Sequence, residues 1–497
     1  MACTTILVGK GASYDGSTIV ARNEDSQSGV FTPKYMDVVE PQDQPRTYVS
    51  KGGHLTIQLP DNPVRYTQIP DAEQPDGVWG AAGVNELNVA MSATETITSN
   101  ERVLAADPLV EYVPARGDGP ERAGGIGEED MVTICLPYIT SARDGVMRMG
   151  ELLERYGTYE MNGMAFQDAD EIWWLETIGG HHWMARRVPD DCYVTMPNQL
   201  GIDAFDFADA AGEGREFLCS ADLEDFVRTN HLDLGLEGDA FDPRAAFGSA
   251  TQADHVYNTP RAWYMQRTLN PYDDIYDGEL ATLRPDSDDI PWCRVPERKV
   301  TIQDVKQVLS SHYEGTPYDP YGRPQGDGDR RGTFRPIGIN RNSQLSITQL
   351  KADAPEAVRA IQWVAFGCNV FNVAVPLFAN VDRMPDYLAN TTRSVSTDSH
   401  YWAVRLVSAM ADAHFADCAN LIERYQEAAG SEMLREVLAA QRDVADKSLA
   451  YAEASPVLEE ANDRVAAILR RHTDNLLSQV LHTASMGMRN GFARSDA

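Results

Sequence analysis

A cysteine is the third residue of the chain and leads directly into an apolar, β-branched stretch at residues 4–8. Chain ends are seldom well buried, so this is an unusual position for a structural thiol. If Met1 and Ala2 are removed, Cys3 carries a thiol and a free α-amine, whose reference pKa of about 8 suits a base near neutrality. One residue would then supply both the nucleophile and the base for amide hydrolysis.

A charged run, Arg22-Asn23-Glu24-Asp25, ends the second of two predicted strands. Residues 4–8 and 18–23 are extended by composition and flank the turn residues 14–16, which predicts an antiparallel hairpin. Antiparallel pairing would bring Arg22 and Asp25 beside Cys3, where a guanidinium favours the thiolate and a carboxylate can hold the α-amine. Such a run at a strand end is usually a solvated ion cluster, so it indicates a site only together with Cys3.

The elements predicted around this hairpin are mixed strands and helices. Residues 318–332, rich in Pro, Gly, Asp and Arg, predict a long exposed loop. The remaining predictions are a second hairpin formed by 77–81 and 87–94, two helices within 128–156 broken at Pro137, a meander of strands at 172–175, 182–185 and 193–195, and C-terminal helices at 401–424 and 432–486.

The histidine pair His181-His182 suggests a metal site, but adjacent strand residues point to opposite faces, so the two rings cannot easily share an ion. The chain has no HExxH, paired CxxC, GxxxxGK or GxSxG pattern. This disfavours the commonest metallopeptidases, nucleotide-binding proteins and serine hydrolases. The seven cysteines are scattered and suggest no disulfide framework. We predict no metal and no cofactor.

The charge of the chain excludes some partners. Its 497 residues carry 75 acidic and 43 basic side chains, a formal net charge of −32, so nucleic acid would be repelled over most of the surface. Neither a basic leader with an apolar core nor a run of about 20 apolar residues is present, which predicts a cytoplasmic protein without a membrane partner. With 43% hydrophobic residues, we expect a folded globular protein.

Five segments of the chain carry a resemblance to a known family: ACTTILVG at 2–9, ARNEDS at 21–26, ETIGGHHW at 176–183, MPNQ at 196–199 and YNTPR at 257–261. In this order they resemble the dipeptidase A-type cysteine peptidases of lactic acid bacteria, within the N-terminal-nucleophile hydrolases that include penicillin V acylase and bile salt hydrolase. The resemblance implies an α+β fold, an αββα sandwich of two antiparallel sheets between helical layers, with a helical C-terminal section.

The resemblance also assigns roles to single residues. It implies that Cys3 is the nucleophile, exposed by maturation, with Arg22 and Asp25 as its immediate partners. Asn198 would be an oxyanion donor and Arg261 a further site arginine. By residue type alone, Asn198 is more commonly a turn asparagine that bonds its own backbone. Arg261 could equally be a surface residue at a helix start. In the acylase relatives a second asparagine follows the second hairpin, where this chain has Thr94.

The expected activity is hydrolysis of dipeptides by a cysteine peptidase that has lost residues 1 and 2. Removal of Met1 alone would leave Ala2 on the amine of Cys3, so a second cleavage is required. An acylase acting on N-acyl amides, of the penicillin V or conjugated bile acid type, would use the same residues, and a peptide-binding protein without catalysis is a further alternative. Homo-oligomer formation is left open. We expect a hydrolase domain at 1–400, a packed helical section at 401–488 and a frayed tail at 489–497.

Overall fold

The computed structural model describes residues 2–117, 119–276, 281–324 and 326–488. The predicted tail at 489–497 and the side chain of Thr94 lie outside the described part of the chain. The strands are β1 (Ala2–Val8), β2 (Thr18–Asp25), β3 (Asp37–Val39), β4 (Thr47–Val49), β5 (Thr56–Gln58), β6 (Tyr66–Gln68), β7 (Ala82–Val84), β8 (Ala90–Thr96), β9 (Asn162–Gln167), β10 (Ile172–Ile178), β11 (His182–Arg187), β12 (Tyr193–Met196), β13 (Phe217–Cys219), β14 (Cys293–Arg294), β15 (Asn342–Leu350), β16 (Ala360–Phe366) and β17 (Val375–Phe378).

The α-helices follow the same chain order. They are α1 (Glu101–Ala106), α2 (Glu128–Cys135), α3 (Ala142–Tyr156), α4 (Phe207–Ala211), α5 (Leu223–Thr229), α6 (Pro243–Phe247), α7 (Asp254–Tyr257), α8 (Thr259–Leu269), α9 (Ile302–Leu309), α10 (Asp386–Ala389), α11 (His400–Asp412), α12 (Phe415–Lys447) and α13 (Tyr451–Met486).

Two antiparallel sheets form the centre of the molecule. The first has seven strands in the order β14-β12-β1-β2-β15-β16-β17, and the second has six in the order β13-β11-β10-β9-β8-β7. The pairs β3–β6 and β4–β5 form two small ribbons beside them. The predicted first hairpin is confirmed, because β1 and β2 pair antiparallel along their whole length.

The layers are those of the predicted αββα sandwich. Leu7 and Val20 of the first sheet share an apolar core with Trp174 and Met184 of the second, so the two sheets pack face to face. Helices α2 and α3 cover the outer face of the second sheet, and α8, α9 and α11 to α13 cover the outer face of the first. The α+β fold with a helical C-terminal section is confirmed.

Local sequence explains where the helices near the site begin and end. The two predicted pieces in 128–156 are confirmed, since α2 stops at Cys135 and a 3-10 turn containing Pro137 precedes α3. Helix α3 begins at the Ser141 side chain, which accepts the N–H of Asp144, and ends at Gly157, whose φ of 67° favours glycine.

Three predictions were wrong in detail. The strand predicted at 193–195 leaves the meander and pairs with β1 in the other sheet, with Thr5 opposite Met196. It is buried on both faces, so its composition carries no signal of its partner. The second hairpin begins later than expected, because Trp79 and Ala81 have positive φ values and are not extended.

The third error concerns the C-terminal helices. Helix α12 runs through residues 425–431, where a break was expected, and the chain turns instead at Ser448 in a left-handed conformation. Gly430 inside α12 therefore does not end the helix. Over its described residues, the predicted loop at 318–332 contains a 3-10 turn at Gly326–Gly328 and no longer element. The division of the chain at residue 400 stays a prediction.

Candidate active site

Cys3 lies in β1 between the two sheets and is fully buried. The register places it opposite Glu24 and places Thr5 opposite Arg22, so these four side chains share the face that looks toward the second sheet. Ala2 precedes Cys3 in the same strand, opposite Asp25. The amide N–H of Cys3 donates to Oδ1 of Asn198 at 3.3 Å. Cys3, Arg22 and Asp25 thus lie in one hairpin, and Asn198 contacts it from the loop that follows β12.

Arg22 holds the thiol from one side. Its Nη2 is 3.1 Å from Sγ of Cys3 and 2.8 Å from Oε1 of Glu128, and its Nη1 donates to the carbonyls of Ala81 and Ala93. Burial lowers the pKa of Arg22, but its interactions with Cys3, Glu128 and Glu24 outweigh burial and raise that pKa above its ordinary value. A permanent cation therefore lies against the sulfur.

A buried ion network that the sequence analysis did not identify supports Arg22. Oε2 of Glu24 is 3.7 Å from Nη2 of Arg22, and Oε1 of Glu24 is 2.6 Å from Nζ of Lys34. Lys34 is fully buried and lies 2.6 Å from Asp71 as well. Burial raises the pKa of Asp71 although Lys34 opposes this. Lys34 follows Pro33 in a loop, where a lysine is usually solvated. Its residue type and position therefore did not indicate that it is buried beside the site.

The first turn of α2 is the second feature that the sequence did not indicate. Acidic side chains in the first turn of a helix are usually solvated, yet Glu128, Glu129 and Asp130 are all buried. Glu129 accepts the N–H of Gly52 at 3.0 Å and the hydroxyl of Tyr159 at 2.6 Å. Glu128 alone of the three contacts Arg22. Helix α2 thus brings a carboxylate to the nucleophile.

Asp25 lies on the opposite face of the hairpin from the thiol. Its carboxylate forms an ion pair with Arg335 and accepts from Nδ2 of Asn342 at 3.1 Å. The Tyr257 ring stacks under both Arg335 and Arg261, with guanidinium-to-ring distances of 5.0 and 5.1 Å. Asp25 is therefore fixed beside the backbone of Ala2 rather than beside Sγ.

Arg261 connects the nucleophile strand to the loop of Asn198. It is fully buried, so the alternative of a surface residue at a helix start is wrong. Its Nη2 donates to Oδ1 of Asn198 at 2.8 Å, and its Nη1 donates to the carbonyl of Cys3 and to Oγ1 of Thr4. Nδ2 of Asn198 donates to the carbonyl of Thr96 at 2.9 Å. These bonds fix both ends of the amide group.

The histidine pair lies apart from this cluster. Nδ1 of His181 and Nδ1 of His182 contact the two carboxylate oxygens of Asp107 at 2.9 and 2.7 Å. Burial raises the pKa of Asp107, but these hydrogen bonds more than compensate and hold it below its ordinary value. Among the described residues, no group of three His, Cys, Asp or Glu side chains could hold a metal ion. The two histidine rings thus bind one carboxylate, that of Asp107, which we call the His–Asp107 clamp.

A cavity of about 960 Å³ lies elsewhere, between α9 and α12 on the outer side of β16. It is lined by Lys306, Trp363 and Phe415 among others, and by none of the five predicted site residues. Its walls contain no cysteine. This cavity is therefore separate from the cluster around Cys3.

Comparison with known proteins identifies the family of the chain. The model of peptidase family C69 matches residues 2–428. The chain belongs to peptidase family C69. The proteins it resembles include one named dipeptidase from Bifidobacterium longum (strain NCC 2705), 55% identical over 100% of both chains. A probable dipeptidase A from Streptococcus pyogenes serotype M3 (strain SSI-1) is 53% identical over 100% of both chains, and dipeptidase A from Lactobacillus helveticus is 42% identical over 96% of both.

Family membership confirms the resemblance drawn from the five sequence segments and makes the chain a peptidase. Across the described ranges, no helix combines the length and the apolar character that a membrane crossing requires.

Proposed function

We propose that this C69 peptidase hydrolyses dipeptides and that Cys3 is its nucleophile once residues 1 and 2 are removed. The observation that carries the proposal is the placement of the thiol. Its Sγ is 3.1 Å from the buried cation of Arg22, and Cys3 is the second residue of β1, so loss of residues 1 and 2 would leave it at the start of that strand. The names of the relatives, dipeptidase and dipeptidase A, support the choice of substrate.

The proposed reaction begins with transfer of the thiol proton of Cys3 to its own α-amine. The thiolate attacks the carbonyl carbon of the substrate, and the carbonyl oxygen becomes an oxyanion. The α-ammonium then returns its proton to the leaving amine as the C–N bond breaks, which leaves a thioester on Sγ. Water, deprotonated by the α-amine, attacks the thioester and releases the acid and the thiol. All protons are accounted for within Cys3 and water.

Arg261 and Asn198 have supporting roles in this proposal. Oδ1 of Asn198 accepts from the nitrogen of Cys3 and from Arg261, which orients the amine that acts as base. One N–H of Nδ2 donates to Thr96, and we assign the other to the oxyanion. Asp25, held by Arg335 beside Ala2, is assigned to the α-ammonium that forms after maturation.

The experiment that tests the proposal measures release of free amino acids from a panel of dipeptides by the purified protein and by Cys3→Ala. Mass spectrometry of the same samples reports whether residues 1 and 2 are present. We expect turnover by the processed protein and none by Cys3→Ala. Unchanged turnover in the variant would refute the role of Cys3.

The same assay separates the alternatives. Faster hydrolysis of penicillin V or of conjugated bile acids than of any dipeptide would identify an acylase that uses the same residues. Binding of peptides without turnover, by a chain that keeps Met1 and Ala2, would identify a non-catalytic peptide-binding protein. A cytoplasmic location and the absence of nucleic-acid partners stay predictions, and homo-oligomer formation stays open.

A further inference from the structure

We propose that Glu128, supported by Glu160, receives the α-ammonium group of the substrate and so restricts the enzyme to peptides with a free N-terminus. The inference rests on the proposed function and names a specificity-determining residue for it.

The covalent geometry of a dipeptide limits where such a receptor can be. The α-nitrogen is two bonds from the carbonyl carbon that is attacked, a distance of about 2.5 Å. In a reactive complex that carbon is about 3 to 3.5 Å from the attacking sulfur. The ammonium group therefore lies within about 6 Å of Sγ, and its receptor must be a carboxylate that reaches this space.

Glu128 satisfies this condition through Arg22. The Nη2 atom of Arg22 is shared by the contact of 3.1 Å to Sγ and the contact of 2.8 Å to Oε1 of Glu128. Oε1 therefore lies no more than about 6 Å from the sulfur, because the two contacts meet at one atom. Each carboxylate oxygen accepts more than one hydrogen bond, so Glu128 can hold Arg22 and an ammonium group together.

The neighbouring carboxylates are placed less well for this task. Oε2 of Glu24 is 3.7 Å from the same Nη2 atom, and its other oxygen is bound to Lys34 at 2.6 Å. Asp25 lies on the opposite face of the hairpin and forms an ion pair with Arg335. Glu129 is directed to Gly52 and Tyr159.

Glu160 strengthens the case for a cation at this position. Its Oε1 accepts the backbone N–H of Glu128 at 2.8 Å. Burial and repulsion from Glu128 raise the pKa of Glu160 to about 7. Within the described ranges, no lysine, arginine or histidine side chain forms an ion pair with Glu160. An ammonium group that binds between the two carboxylates would relieve this repulsion.

The test compares two substrates that share one scissile bond. Alanyl-alanine carries the ammonium group, and propanoyl-alanine is the same molecule without it. For the wild-type protein we expect kcat/KM on the dipeptide to exceed that on the analogue by about 100-fold or more. In Glu128→Gln, which keeps the size of the side chain and an acceptor for Arg22, we expect this preference to fall to less than about 5-fold.

Two further variants make the result specific. Glu129→Gln is the matched control, because it removes the adjacent buried carboxylate of the same helix turn, and we expect it to keep the wild-type preference. Glu160→Gln leaves the bond between Arg22 and Glu128 in place, and we expect it to lower the preference by about 3- to 10-fold. If Glu128→Gln does not fold, the substrate preference of Glu160→Gln tests the inference in its place.

The possible results of these assays lead to different conclusions. An equal loss of kcat/KM on both substrates in Glu128→Gln would show that Glu128 acts only through Arg22 and would overturn the inference. If both single variants, Glu128→Gln and Glu160→Gln, kept the wild-type preference for the dipeptide over the analogue, the inference would also be overturned. Equal turnover of both substrates by the wild-type protein would refute ammonium recognition while leaving the peptidase intact. Absence of turnover on any dipeptide by processed wild-type protein would refute the proposed function itself.

Discussion

Replacing Lys34 by methionine tests how strongly the buried ion network supports the site. Lys34 is fully buried, and its Nζ is 2.6 Å from both Glu24 and Asp71. Methionine has nearly the same length, so the substitution removes the charge with little change in volume. Two carboxylates would then lie in a buried space without their cation. Breaking a buried ion pair from one side costs about 3 to 5 kcal/mol of folding free energy.

A buried carboxylate without its cation can bind a proton and become neutral. The loss of folding free energy per carboxylate therefore cannot exceed the free energy of protonation, which depends on pH. At pH 7.5, protonating a carboxyl with a reference pKa of about 4.3 costs about 4 kcal/mol, and at pH 5.5 it costs about 1.6 kcal/mol. In the variant, the folded-state pKa of Asp71, which burial already raises above its ordinary value, rises further because Lys34 no longer opposes burial. Stability is therefore retained at low pH and lost as the pH rises. We expect the loss in Lys34→Met to be about 3 to 5 kcal/mol at pH 7.5 and at least about 1 kcal/mol smaller at pH 5.5.

The assay is urea denaturation of the wild-type protein and Lys34→Met at both pH values, followed by tryptophan fluorescence. The double variant Lys34→Met/Asp71→Asn is the control, since it also removes one of the uncompensated carboxylates, and we expect it to recover about 1 to 3 kcal/mol. A loss below about 1 kcal/mol, or an equal loss at both pH values, would refute the account of Lys34 as the counter-charge of this network.

Two other predictions follow from the site and its surroundings. Arg261→Lys keeps the charge but has three donors on one nitrogen, whereas Arg261 donates from three nitrogens to Asn198, Asn258, Thr4 and the carbonyls of Cys3 and Tyr257. We therefore expect kcat on dipeptides to fall by about 100-fold; full activity in steady-state assays would contradict this. Asp107→Asn removes the carboxylate whose pKa is held low by His181 and His182. We expect its thermal midpoint to be below that of the wild type at pH 7. This difference should begin to shrink as the pH falls below about 4, where the unfolded carboxyl takes up its proton, and should vanish only below the lowered pKa of the folded carboxyl. Activity at pH 7 should be unchanged, and an equal midpoint at pH 7 would argue against the His–Asp107 clamp.

Short-range sequence features predicted the parts of the fold that depend on neighbouring residues. The chain reversal between β1 and β2 pairs these neighbouring strands, so the approach of Arg22 to Cys3 could be expected from the hairpin alone. Pro137 ends α2 for a local reason, since it removes a backbone donor. Errors occurred where a choice depends on distant partners, as for β12, which is buried on both faces and pairs with β1 rather than with β11.

The sequence by itself determined the nucleophile candidate, the hairpin that places Arg22 beside it, and the family resemblance that family C69 confirms. Only the tertiary structure decided that Glu128 and Lys34 belong to the site and that Arg261 reaches the carbonyl of Cys3 across 258 positions of sequence. The reason is physical. Register follows from local turn geometry, whereas burial of a charge is decided by which distant charges fold around it.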